Sequence, residues 1–260
     1  MLLDTARNAR DLQELTGLLA AQVTPATLDR QVPTCPEWAL RDLVGHLGYV
    51  QRWVTAIVAR RLSAPPARDV GGPPPPPDAP DLAAWLGQGS DSLREAVDQA
   101  GPEAQVWSWS GDDRVAFWAR RMANEAAVHA ADAQLVTGSV APLDPARAAD
   151  GIEEWLWMLS LPQGAERSAR YPVRPGGESL HVHATDPELS TGSEGEWMIR
   201  RTAEGISWER GHVKADVALR GGASGLFLLL LRRLDPETAG VEVLGDRTLL
   251  EEWLDHSRFE

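Results

Sequence analysis

The chain has 260 residues, 43% of them hydrophobic and 24% charged, and a formal net charge of −13. These proportions fit a soluble globular protein of one large or two modest domains, while the acidic excess argues against nucleic acid and against an anionic membrane surface, both of which are met through Lys and Arg. One cysteine excludes an internal disulfide framework and fits the reducing cytoplasm; residues 1–12 lack the apolar core of a signal peptide, and the longest apolar run, 226–231, is too short to span a bilayer.

In chain order, Leu12, Leu15, Leu18, Leu19 and Val23 recur at helical spacing in an opening helix. A turn bearing Pro33 and Pro36 leads into a long amphipathic helix over 38–62, with Leu43, Val50, Trp53 and Ile57 on one stripe. Consecutive prolines at 73–77 make 65–80 an extended loop. A third helix is predicted over 81–100 and a fourth over 114–137, the latter closed by Gly138 as its C-terminal cap. Helices with these connections suggest an antiparallel four-helix bundle. A fifth helix over 145–161, carrying Ile152, Trp155, Leu156 and Leu159, leads out of it.

After Gly164 the apolar period changes. Residues 179–184, 197–202, 206–209 and 213–219 alternate between Gly and Pro clusters, which predicts a small antiparallel sheet. Residues 222–234 return to helix, 241–244 read as a last strand, and Asp246 caps a final helix ending near His256. The expected organisation is a helical domain over 1–162 and an α+β domain over 163–260. The 11 tryptophans, against three Phe and two Tyr, are expected mainly to fill helix interfaces.

The most informative residues lie in two segments far apart in sequence. Glu125 and His129 are four residues apart in a predicted helix, which stacks them one turn apart on a single face. His46 lies on the apolar stripe of another helix, where an unpaired ring would cost about 1–3 kcal/mol. Two nitrogens and one oxygen with a fourth position open is the ligand set of a catalytic zinc site. Asp132, three residues past His129, either receives the free proton of that ring or is an exposed helical charge. The plainer account of Glu125 is an ion pair with Arg121 one turn earlier. His181 and His183 alternate on one strand face, an arrangement that either binds a metal or lies on a solvated surface. Cys35, before a proline at an expected helix start, reads as structural.

The run Val32, Pro33, Thr34, Cys35, Pro36, Glu37, Trp38, with Arg41, Asp42, Leu43, His46, Leu47 and Gly48, resembles the opening signature of the mycothiol-dependent maleylpyruvate isomerase family. Residues 118–132 resemble its second signature, and 215–221 with the leucine-rich segment 226–234 and Gly245-Asp246 resemble its second domain. The resemblance implies a DinB-like metal-binding four-helix bundle followed by a small α/β sterol-carrier-like domain. It implies zinc, one ion per chain, on His46, Glu125 and His129, and Arg233 from the second domain near the active site, with Arg220 as the second choice. Asn124 stands where the family usually has histidine and Ala130 where it usually has arginine.

In the family's named reaction the thiol of mycothiol adds to the cis double bond of maleylpyruvate. The new single bond rotates, and expulsion of the thiol gives fumarylpyruvate. The expected activity is therefore a zinc- and mycothiol-dependent isomerase or S-transferase acting on a small, anionic electrophile. The expected partners are that electrophile and a low-molecular-weight thiol, with no nucleic acid and no membrane, in a cytoplasmic monomer or small homo-oligomer. The alternative is a non-catalytic metal- or ligand-binding protein that keeps the bundle site.

Overall fold

The computed structural model describes residues 3–72, 74–162, 166, 173–174, 177–190, 194–202 and 205–257. The chain separates into two compact units, Leu2–Ala141 and Pro142–Glu260.

The first unit is built on four helices: α1 (Thr5–Ala20), α2 (Leu40–Ala59), α3 (Ala79–Ala100) and α4 (Val115–Thr137). Each has a stripe turned to a common core. Leu12 and Leu19 supply it from α1, Leu43, Leu47, Val54 and Ile57 from α2, Leu86 and Leu93 from α3, and Trp118 and Met122 from α4. Helix α1 packs on α3 and α4, and α2 packs on the same two, so α1 and α2 lie diagonally across the bundle. The ends are set by local chemistry. Asp4 caps α1 by accepting from the Arg7 N–H, and Gly138, in the left-handed region at φ 99°, closes α4 as its spacing predicts. Trp53, Trp107 and Trp118 meet with ring centroids 5.6–6.1 Å apart, and the Trp118 indole donates to the Trp107 carbonyl.

The signature before α2 is not a helix start. Residues Gln31–Val32 (β1) pair antiparallel with Cys35–Ala39 (β2), and the helix begins only at Leu40. Cys35 therefore lies in a strand, which removes the expected proximity to a helix N-terminus. The actual start of α2 is held by Asp42, whose carboxylate accepts from the Ala39 N–H at 2.9 Å and so satisfies a donor before the first turn. Gly48 has a packing reason: a Cβ there would come within 2.1 Å of the Trp85 ring of α3.

The second unit opens with α5 (Pro145–Ser160), followed by β3 (Glu178–Ala184), β4 (Glu196–Thr202), β5 (Gly205–Arg210), β6 (Val217–Gly221), α6 (Ala223–Leu230), β7 (Glu242–Gly245) and α7 (Arg247–His256). Helix α5 belongs to this unit, and the division falls ahead of the 162/163 boundary expected from periodicity. Its partner is α6: a Cβ at Gly151 would stand 2.5 Å from the Phe227 ring, so glycine there admits the aromatic side chain. An apolar stripe announces a buried face but not which neighbour covers it.

The sheet has the order β5-β4-β3-β6-β7. It is mixed, not purely antiparallel as expected, because β6 pairs parallel with β3. The β4–β5 hairpin supplies the long connection that a parallel neighbour requires. Leu180, Val182, Trp197, Ile199 and Leu219 form the buried face, which α5 and α6 cover; the Trp197 indole donates to Glu153 of α5 at 3.2 Å. Among the described residues no helix is long and apolar enough to cross a membrane.

Candidate metal centre

Helices α2 and α4 bring His46, Glu125 and His129 together. Their potential ligand atoms all lie within 4.8 Å of one another. The Nε2 atoms of His46 and His129 stand 3.4 and 3.2 Å from the same oxygen, Oε1 of Glu125. The two rings meet edge to face, centroids 5.3 Å apart. Side-chain exposure is graded, 10% for His129, 24% for Glu125 and 35% for His46, so the trio is closed on one side and reachable from the other.

The Arg121 ion pair is also present, and it uses the other carboxylate oxygen. Arg121 donates to Oε2 of Glu125 at 2.5 Å, leaving Oε1 to the histidines. Behind His129, Asp132 is fully buried. Its Oδ2 is 3.0 Å from Nδ1 of His129, and because a carboxylate only accepts, that nitrogen carries the proton. The bond fixes the ring and leaves Nε2 pointing at Glu125. Oδ1 of Asp132 in turn accepts from the Thr34 hydroxyl at 2.6 Å, across 98 residues of sequence. Sequence reasoning did not single out Thr34, although its place inside the first signature was the available clue. Trp38 of the same signature stacks at a tilt beside His46, centroids 5.0 Å apart.

Two carboxylates, Glu125 and Asp132, and the Arg121 guanidinium set the charge around the histidines. Burial works against charging His129, yet its bonds to Asp132 and Glu125 prevail and raise its pKa to about 9. Burial would likewise raise Glu125, but Arg121 and the two histidines hold it well below the usual carboxylate range. The donor set of two imidazoles and one carboxylate oxygen fits zinc or a similar borderline ion.

A pH dependence follows. The His129 pKa is raised above its value of roughly 6.5 in an unfolded chain, so its pairing contributes stability fully below that value and loses it as pH rises through about 9. Metal binding needs the neutral ring, so binding releases this proton. Zinc affinity measured by chelator competition is expected to rise by up to about tenfold per pH unit between about pH 7 and 9. Affinity that does not change over this range would contradict the assignment.

The other expected site residues fall as follows. Asn124 and Ala130 are 2% and 1% exposed, buried in the bundle rather than facing the open side of the trio. Arg233 lies past the end of the leucine-rich helix, which stops at Leu230 instead of reaching 234, and donates to the Leu231 carbonyl at 2.8 Å. Arg220, on β6, is half exposed and 3.9 Å from Glu242.

A helical bundle carrying two imidazoles and a carboxylate at one accessible face, followed in the chain by a mixed-sheet α+β unit, defines a two-unit protein with a candidate metal centre. Sequence models of the mycothiol maleylpyruvate isomerase N-terminal domain and of the C-terminal domain of the same family match residues 9–134 and 146–252. The chain belongs to that family. Among solved structures, a histidine-to-alanine mutant of the mycothiol-dependent maleylpyruvate isomerase is similar, with a TM-score of 0.56 and 15% identity over 92% of this chain and 91% of that one. At that identity the likeness speaks for the fold. A stereoselective inverting sec-alkylsulfatase from a Pseudomonas species covers 55% of this chain and 25% of its own, at 16% identity and a TM-score of 0.33, too slight to carry an argument. No curated protein sequence matches.

Proposed function

We propose that the protein is a zinc- and thiol-dependent isomerase or S-transferase acting on a small anionic electrophile, with mycothiol as the thiol. His46, Glu125 and His129 are the proposed ligands. The observation that carries the reading is their convergence on the accessible side of the bundle, with His129 already oriented by Asp132. Zinc held there would act as a Lewis acid, lowering the pKa of a thiol at the open position.

The chain's own groups do the rest. Arg121 holds Glu125 in place, Asp132 keeps the His129 Nδ1 proton, and Trp38 walls the His46 side. Arg233 is proposed to anchor the anionic group of the electrophile. In the isomerase reading the sulfur–carbon bond forms at the double bond and then breaks after rotation; in the transferase reading it remains.

The test incubates zinc-loaded protein with maleylpyruvate or another electrophile, with and without mycothiol. Turnover is expected only with the thiol. Arg233→Ala is expected to lower it strongly with metal content unchanged, and Cys35→Ala to be nearly silent. Equal turnover without thiol would overturn the reading, and full zinc occupancy with no turnover on any electrophile would favour the non-catalytic metal-binding alternative.

A further inference from the structure

Apart from His256, the histidines of this chain fall into two clusters, and the second lies in the C-terminal unit. His181 and His183 are two residues apart on β3 and project from one face. Glu196 on β4 pairs directly opposite His183 and shares that face. It is the face away from α5 and α6. The chain nevertheless returns over it: residues 211–216 run from the end of β5, at the C-terminal end of β3, back to the start of β6. His212, on this crossing, has its ring 5.0 Å from His181 and 5.9 Å from His183. Asp216, at the far end of the crossing, accepts from the Ser179 N–H at 2.8 Å.

The result is a second convergence of donors. Oε2 of Glu196 lies 3.1 Å from Nε2 of His181, 2.5 Å from Nδ1 of His212 and 4.0 Å from Nδ1 of His183. The ligand atoms of His181, Glu196 and His212 are all within 4.8 Å of one another. Four ligands at 2.0–2.1 Å around a tetrahedral zinc stand about 3.3 Å apart, so small side-chain adjustments convert one arrangement into the other. Imidazole-rich sets suit borderline transition metals, whereas calcium and magnesium prefer oxygen. His181 is 5% exposed and buried rings favour the neutral, ligating form. The His212 side chain is 72% exposed, which gives an ion a way in.

We propose that His181, Glu196 and His212, with His183 as fourth donor, bind a second zinc-type divalent ion that clasps the 211–216 crossing onto the β3–β4 pair. Its role is structural, because a full set of protein donors leaves no position for a reactant. The inference is independent of the bundle centre.

The test strips the full-length protein with chelator, adds zinc alone, and reads bound metal after dialysis together with amide hydrogen exchange. Wild type is expected to hold two zinc ions per chain, with exchange across 211–216 slowed on loading. His212→Ala, a change at an exposed side chain, and Glu196→Gln, which preserves shape, are each expected to weaken one of the two ions by about tenfold or more and to abolish the slowing. His129→Ala is expected to remove the other ion and leave the slowing intact. Retention of two ions at unchanged affinity in both His212→Ala and Glu196→Gln would overturn the proposal. A wild-type chain whose only zinc is lost in His129→Ala would overturn it as well.

Discussion

Alanine in place of His129 is expected to empty the bundle centre of metal while the helices persist. The variant loses one of two nitrogens from a three-donor set, and it also leaves Asp132, which is fully buried, without the ring that faces it. Removing one partner of a buried pair costs about 3–5 kcal/mol, so the melting temperature is expected to fall markedly. The far-ultraviolet spectrum is expected to stay helical, because α4 is held by apolar contacts through Trp118, Met122 and its buried alanines. Metal content should drop by one equivalent per chain. Should the alanine variant fold poorly, Glu125→Gln keeps the volume and removes only the ligand charge. Undiminished metal in both variants would sink the assignment.

Asp132→Ala is expected to be nearly as damaging, although Asp132 is not itself a proposed ligand. The change frees the His129 ring to rotate and to carry its proton on either nitrogen, and it takes away the acceptor of the Thr34 hydroxyl. Loss of such a supporting carboxylate typically costs about 10–100-fold in metal affinity. The unsatisfied groups left behind add about 1–3 kcal/mol of instability each. Competition against a chelator, compared with Thr34→Val, separates the contributions: the Thr34 variant should lose only a minor part of the affinity. Unchanged affinity in Asp132→Ala would show that the carboxylate supports the fold and not the centre.

Much of the centre could be read from the sequence because its parts are local. Glu125, His129 and Asp132 share one helix, and their spacing of four and three residues puts them within reach of each other whatever the rest of the chain does. His46 needed only a second helix with an apolar stripe. The elements of the bundle were legible for the same reason, to within a few residues at each end. What escaped was long-range. Thr34 reaches Asp132 across the bundle, and His212 joins His181 and His183 only because the chain doubles back over the sheet. The parallel β3–β6 pair was missed because strand alternation reports burial and not direction. The allegiance of α5 depends on Phe227 fitting at Gly151, a contact that periodicity cannot announce. The β1–β2 pair was hidden by its prolines, which read as a turn, and so Cys35 reads from sequence as lying at the start of a helix that begins only at Leu40.

The division of labour between the two oxygens of Glu125 bears on denticity. A carboxylate free to swing can grip an ion with both oxygens and fill the position an incoming molecule would need. Here Arg121 holds Oε2, so Glu125 turns Oε1 toward the histidines and would present that oxygen first to an ion bound between them. In the proposed site the guanidinium would act as a doorstop, limiting the swing of the carboxylate without itself being a donor.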